Sequence, residues 1–392
     1  MSDLFNPTEE HQVLREMVRS FVEKEVAPQA EEFDKTEQFN RPLFNKLGEL
    51  GLLGVTAQPE FGGSGMDAVA AVIVHEELSA ADPGFCLAYL AHSMLFVNNL
   101  AVNGTDEQRS RFLPGTCSGE LVSGMCMSEP DAGTDVLGMG TVAVEDGDEY
   151  VLTGRKMWIT NGAVSDTEMG DIFLVYAKTG SRDTREISLF LVEKGREGFS
   201  LGQKLHGKLG MRASTTAELV LEEVRVPREN LVGTPGKAVK SMMRNLAIER
   251  VTLAAMSLGI ARRSVEIMND YARERTSFGR PINVYGQIQR HIAESYAEFM
   301  AGRSYVYHVA GQLELDAFGH RVDSDGVKLY CSTMAKNVAD RAIQVLGGYG
   351  YVSEYNVERL WRDAKLLEIG GGTIEAHQKN MTRDLAQLDK IR

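Results

Sequence analysis

Between Lys240 and about Ala272 the apolar residues Met242, Leu246, Leu253, Met256 and Ile260 recur at alternating steps of four and three. That is the spacing of one stripe along a helix, and Glu249 stands within it as its only charge. A carboxylate on an apolar face must pair, snorkel or rise in pKa. Glu249 is then either the partner of Arg250 or another buried cation, or a partly desolvated general base.

Four other stretches carry groups suited to a bound cofactor. The first, Cys126-Met127-Ser128-Glu129-Pro130-Asp131-Ala132-Gly133-Thr134-Asp135, offers hydroxyls and backbone N–H groups, though taken alone it is also a polar loop entering a sheet. The second, Lys156-Met157-Trp158-Ile159-Thr160-Asn161-Gly162, sets a Trp among β-formers, where Trp is more often core than ligand contact. In the third, Gln344-Val345-Leu346-Gly347-Gly348-Tyr349-Gly350-Tyr351, glycines interrupt a helical stretch. They serve as a helix C-cap and turn, or as backbone that approaches a ligand closely. The fourth, Ile369-Gly370-Gly371-Gly372-Thr373, ends on a residue that can N-cap the next helix and present its free N–H groups.

Several chemistries are excluded. His75-Glu76-Glu77 lacks a second His four positions on, the other histidines are dispersed, and no metal site is implied. Neither GxSxG nor a GxGxxG after a strand occurs, and no Lys-Ser or Lys-Thr follows the Gly62-Gly63-Ser64-Gly65 turn. The excess of 55 Asp plus Glu over 42 Lys plus Arg, a net charge of −13, speaks against nucleic acid and anionic membranes as partners. Cys86, Cys117, Cys126 and Cys331 are scattered, as in a reducing compartment. No targeting segment opens the chain, and no apolar run approaches the roughly 20 residues that cross a bilayer. A cytoplasmic protein without membrane insertion is expected, or a mitochondrial matrix protein if the sequence is a trimmed mature form.

These groups must be held by a chain of 392 residues, long enough for two or three domains. Residues 1–123 read as α-helical. From 124 to 234 short β-like runs alternate with turns, among them the Glu145-Asp146-Gly147-Asp148 hairpin signal. Residues 235–392 are helical again. Helix, sheet and helix in blocks is α+β with segregated layers.

The four stretches, in this order and spacing, resemble the acyl-CoA dehydrogenase family over essentially the whole chain, with both family signatures present around Ser128–Asp135 and Gln344–Asp363. The resemblance implies an N-terminal helical domain, a middle β-barrel or sandwich domain and a C-terminal four-helix-bundle-type domain, with FAD as cofactor and acyl-CoA as substrate. It implies that Met125, Met127, Ser128 and Thr134 border the flavin and that Trp158, Ile159 and Thr160 flank its ring. Arg275, Phe278, Gln287 (or Gln289), Gln344, Gly347 and Gly348 would reach the FAD of a neighbouring subunit in a homotetramer built as a dimer of dimers. Thr373 and Glu375 match the last flavin contacts. Thr134, Ala247, Arg250, Gly371 and Gly372 would meet the acyl-CoA.

Many relatives carry the catalytic carboxylate in a Tyr-Glu-Gly-Thr loop, where this chain has Gly370-Gly371-Gly372-Thr373. Leu246-Ala247-Ile248-Glu249-Arg250 is similar to the isovaleryl-CoA dehydrogenase branch, whose base lies on this helix, so the resemblance makes Glu249 the base. Ala91-His92-Ser93, Lys208-Leu209-Gly210-Met211-Arg212 and Glu368-Ile369-Gly370 also look like that branch; Ala247 replaces an acidic residue common there. The implied reaction is α,β-dehydrogenation of a short branched acyl-CoA in branched-chain amino acid catabolism or fatty acid metabolism, with electrons passing to electron-transferring flavoprotein. Glycines at 370 and 371 are expected to leave room for branching. Another short, cyclic or aromatic acyl-CoA, an acyl-CoA oxidase and a non-catalytic flavoprotein paralogue are the alternatives.

Overall fold

In the N-terminal part, side chains that accept from free backbone N–H groups decide where helices begin. Asn40, Asp67 and Asp82 open α3 (Arg41–Glu49), α4 (Ala68–Ala81) and α5 (Pro83–Leu90), while Thr8 opens α1 (Glu9–Phe21). Thr105 and Gln108 form a reciprocal capping box at α7 (Asp106–Cys117). A π-helical turn at Val22–Val26 joins α1 to α2 (Ala27–Thr36), and another at Ala91–Asn98 joins α5 to α6 (Asn99–Asn103). This is a computed structural model describing residues 3–388.

The α5–α6 run corrects one expectation. Pro83–Asn103 is a helix of 21 residues with mean hydropathy 1.5, long and apolar enough to cross a membrane. It is apolar on every face because it is packed on every face: 83% of its most apolar window is buried inside the protein.

The sheet takes over at β1 (Ser123–Cys126) and runs through β2 (Val142–Asp146), β3 (Glu149–Thr160), β4 (Ile172–Thr179), β5 (Ile187–Glu193), β6 (Phe199–Lys204), β7 (Thr216–Pro227) and β8 (Leu231–Val232). Its order is β6-β7-β3-β2-β4-β5-β8, with β1 parallel to β4. Gly147, at φ 61°, turns the β2–β3 hairpin. β4 and β5 are apolar and buried nearly throughout, as central strands covered on both faces are. The β3–β7 register slips between Lys156 and Ile159, which re-aims the residues between them.

Helix returns with α8 (Ala238–Glu274), 37 residues and so roughly 55 Å long. It packs against α4, α9 (Gly286–Ala310) and α10 (Arg321–Leu346), and α10 in turn meets α11 (Val357–Leu367) and α12 (Ile374–Leu385). Its middle, Ile248 to Ala261, is buried on all sides because α4 covers the face that α9 and α10 leave. The architecture is therefore helical, then sheet, then helical, with α8 as the common spine.

Candidate active site

Glu249 lies on α8 at 6% exposure, flanked on its stripe by buried Met242, Leu253, Met256 and Ile260. It forms no ion pair among the described residues. Arg250 turns instead to Asp325 on α10, Nη1 to Oδ1 at 3.1 Å. Glu249 Oε2 is buried without a hydrogen-bond partner among the described residues. Burial pushes its carboxyl up to about 7, against the opposing pull of Arg250 and Lys328. A carboxyl that has lost water and gained no direct partner is a proton acceptor in waiting.

Across from it lies the turn between α11 and α12. Gly371 and Gly372 have φ values of 67° and 101°, a region that L side chains rarely adopt. A Cβ at Gly371 would lie 3.5 Å from Glu249 Oε1, so the carboxyl and the turn backbone face one space. The same Cβ would run into Leu253 Cδ1, one helical turn beyond Glu249. The room that Gly371 was expected to open is thus filled by Leu253, because the α8 stripe that carries Glu249 also carries a Leu four residues on. Thr373 caps α12 through a hydrogen bond from Ala376 N, which leaves Glu375 exposed in its first turn. Ala247 is half-buried beside Arg250.

The first two cofactor stretches are brought together against this helix. Met125 lies on β1, opposite Leu174 of β4. Met125 and Met127 share an apolar cluster with Met242 and Leu246 of α8. Ser128 O accepts a hydrogen bond from Met157 N at 2.9 Å, fixing the first stretch to β3 beside Trp158. Fully buried Lys156 reinforces the joint, donating to Met127 O at 3.2 Å and pairing with Glu129 Oε1 at 2.8 Å. At the register slip Trp158 adopts φ 59° and is 53% exposed, with Ile159 buried and Thr160 half-buried beyond it. Left-handed backbone at a bulky residue is strained by about 1–3 kcal/mol and persists where surrounding structure enforces it. Here it holds an indole outward, which suits stacking beside a planar ring, and Thr134 stands exposed on the neighbouring loop.

The third stretch forms a different place. Arg275, Phe278, Gly347 and Gly348 line an open groove of about 680 Å³, and the Arg275 guanidinium lies over the Tyr349 ring at 5.9 Å. Phe278 is 95% exposed. Gln344 is exposed on the last turn of α10, and Gln287 and Gln289 on the first turn of α9. Arg275 follows Glu249 by 26 residues on one helix, roughly 39 Å at 1.5 Å per residue. One flavin dinucleotide does not span that distance.

Residues that pattern alone did not single out complete the site. Lys328 on α10, fully buried, donates to Leu367 O and, at 3.4 Å, to Gly372 O. His377 lies with Nδ1 2.5 Å from Asp325 Oδ1 and Nε2 3.1 Å from Gly372 O. Asn99 reaches both Met125 Sδ, at 4.0 Å, and the Tyr176 hydroxyl, at 3.4 Å. No signal in the sequence marks Lys328, because charges recur along α10 at Arg321, Asp323, Asp325, Lys336, Asp340 and Arg341 as well.

Known proteins carry the same plan. The acyl-CoA dehydrogenase N-terminal, middle and C-terminal domain descriptions match residues 8–120, 124–224 and 236–386. Mitochondrial isovaleryl-CoA dehydrogenase of Arabidopsis thaliana is 42% identical over 374 residues, 95% of this chain and 90% of that one. A short-chain-specific acyl-CoA dehydrogenase of Clostridium acetobutylicum is 39% identical over 375 residues, 95% of this chain and 97% of that one. A solved acyl-CoA dehydrogenase of Bacillus anthracis complexed with FAD superposes with a TM-score of 0.90 at 32% identity, covering 97% of this chain and 67% of that one. With all three of its parts matched in order, the chain belongs to the acyl-CoA dehydrogenase family and is an FAD-dependent oxidoreductase.

Proposed function

We propose that the protein dehydrogenates a short branched acyl-CoA of the isovaleryl type to the 2-enoyl-CoA, with Glu249 as base. The observation that carries this reading is the unpaired carboxyl of Glu249 facing the Gly371 turn, where many relatives place a Glu on the turn itself. Glu249 removes the α-proton of the thioester and becomes the neutral acid. Met125 to Thr134, Trp158 to Thr160, Thr373 and Glu375 would hold FAD, which when bound would supply the acceptor for the hydride leaving the β-carbon. The Gly371 N–H is retained although the side chain is gone, and it donates to the thioester oxygen as negative charge develops there. Met125, Met127 and Leu246 exclude water from the α8 side of the cleft.

Similarity to the isovaleryl enzyme of A. thaliana supports branched specificity. The Leu253 side chain beside Gly371 favours a second reading, a short straight chain, which the Clostridium relative also suggests. Anaerobic flavin bleaching with isovaleryl-, isobutyryl-, 2-methylbutyryl-, butyryl- and lauroyl-CoA separates the two. A highest specificity constant for butyryl-CoA selects the second, and one for lauroyl-CoA removes both.

The groove at Arg275 and Phe278 is proposed to serve the FAD of a second subunit, in a tetramer built as a pair of dimers. Sedimentation decides: a monomer that keeps stoichiometric FAD ends that proposal. Electron-transferring flavoprotein is the proposed acceptor, and turnover as fast with oxygen alone would make the protein an oxidase instead.

A further inference from the structure

Behind the Gly370–Gly372 turn lies a buried set of charges that proton abstraction does not itself use. Lys328 grips both ends of the turn, through the carbonyls of Leu367, where α11 stops, and of Gly372, just before α12. His377 of α12 holds the Gly372 carbonyl from a second direction, and its other ring nitrogen meets Asp325. Asp325 pairs in turn with Arg250, the residue next to Glu249. Lys328, Asp325 and His377 are all fully buried. One connected path thus runs from the turn, through α12 and α10, to the helix that carries the base.

An ammonium placed out of water for the sake of two carbonyls is an expensive fastener unless its charge is also used. Among the described residues, Glu249 and Arg250 of α8, Asp325 of α10, Glu368 at the end of α11 and His377 of α12 are the charged and titratable groups facing this set, and Glu249 also acts on the Tyr176 hydroxyl of β4. Glu249 is the largest influence holding Lys328 charged, and Lys328 acts with Arg250 to hold Glu249 charged.

Resting on Glu249 as the base, we propose that Lys328, seated by Asp325 and His377, is a positioning residue that locks the Gly370–Gly372 turn opposite Glu249 and keeps the base ionised. Its loss would misplace the Gly371 N–H and remove a positive charge beside the base. Burial pushes Lys328 down and Glu249 up, and the opposite charges of the two each steady the other's ionised form.

Removing single charges from the holoenzyme tests this. The rate of anaerobic flavin reduction is followed against pH with whichever of isovaleryl-CoA and butyryl-CoA reduces the wild type faster. Lys328→Met keeps the length of the side chain without its charge. It should slow reduction about ten- to a hundredfold at saturating substrate and move the acid limb alkaline by roughly one unit. Asp325→Asn frees Arg250 to act on Glu249 and should move that limb the other way. Opposite displacements, with FAD content kept, are the expected result; a role confined to packing moves neither. Limbs that stay at the wild-type position, or move together, overturn the proposal. If Lys328→Met loses FAD, Asp325→Asn decides alone, and a limb that is unmoved or moves alkaline is the overturning result. Glu249→Gln separates the two levels: wild-type reduction by that variant removes the base reading and this proposal together. An inactive Glu249→Gln beside an unaltered Lys328→Met removes this proposal only.

Discussion

Two buried carboxylates on neighbouring helices of this molecule have opposite fates. Glu77, on α4, is met by three guanidiniums: Arg15 at 2.6 Å, Arg19 at 2.9 Å and Arg262 at 2.6 Å. Burial alone would push it up, but Arg262, with Arg19 and Arg15, holds it down at about 2. Glu76 beside it pairs with Arg15 and Arg303 and accepts from the Tyr307 hydroxyl at 2.5 Å. The cluster ties α1, α4, α8 and α9 together. Glu249 sits on α8 as deeply, but its adjacent arginine is taken by Asp325 and one of its oxygens has no partner. Desolvation acts on both groups. Pairing decides which becomes a fastener and which is left free to act as the proposed base.

The sharpest break in the comparison is Glu249→Gln, which should lower the rate of flavin reduction about 10²- to 10⁴-fold while FAD stays bound. Stopped-flow reduction measures it, and an unchanged rate would end the assignment of Glu249 as base. The mirror experiment is Glu77→Gln, which strands guanidiniums around a neutral amide and should lower unfolding stability by about 3–5 kcal/mol. Urea unfolding reads this loss. The acid limb of the rate should stay in place, and a displaced limb would mean that the two clusters are coupled through α8.

The next effect concerns pH. Glu249 is raised from 4.5 to about 7 in the folded protein, so it favours the fold below pH 4.5 and this contribution is lost as pH rises through 7. Reduction should therefore quicken as pH rises through about 7, because the base must be ionised. Stability should meanwhile fall over the same window, by up to about 3 kcal/mol at full ionisation. Glu249→Gln has no such proton to lose, so its melting temperature should exceed that of wild type at pH 8 and not at pH 4. Equal melting temperatures at pH 8 would show that Glu249 is better solvated than its burial indicates.

The smallest effect is relocation. Gly371→Glu in the Glu249→Gln background should restore almost nothing, because Leu253 occupies the space and φ at Gly371 is 67°. Adding Leu253→Ala should recover about tenfold in rate, a modest gain because the backbone strain remains. Recovery without the Leu253 change would show that the turn shifts freely.

Much of the fold was legible because it depends on near neighbours in the chain. The block order follows from periodicities of 3.6 and 2, the cap at Thr373 from its hydroxyl, and the β2–β3 turn from Gly147. Glu249 was legible as an odd charge on an apolar stripe. Trp158 was read against the odds of its type, since the register slip in β3 that turns it outward comes from pairing with β7. The membrane-length helix was missed because His92, Ser93, Asn98 and Asn99 interrupt its apolar run without ending the helix.

What sequence alone determined is that a lone carboxylate, a glycine turn and two candidate cofactor stretches lie on particular elements, because residues three or four apart in a helix, or two apart in a strand, share a face in any fold. Only tertiary structure decided what each group is left with. Arg250 is drawn from Glu249 to Asp325, Leu253 fills the space beside Gly371, and Lys328 closes on a turn 39 residues further along the chain. These outcomes turn on distances between elements far apart in sequence, set by how α8, α10 and α12 pack, and no local period encodes them.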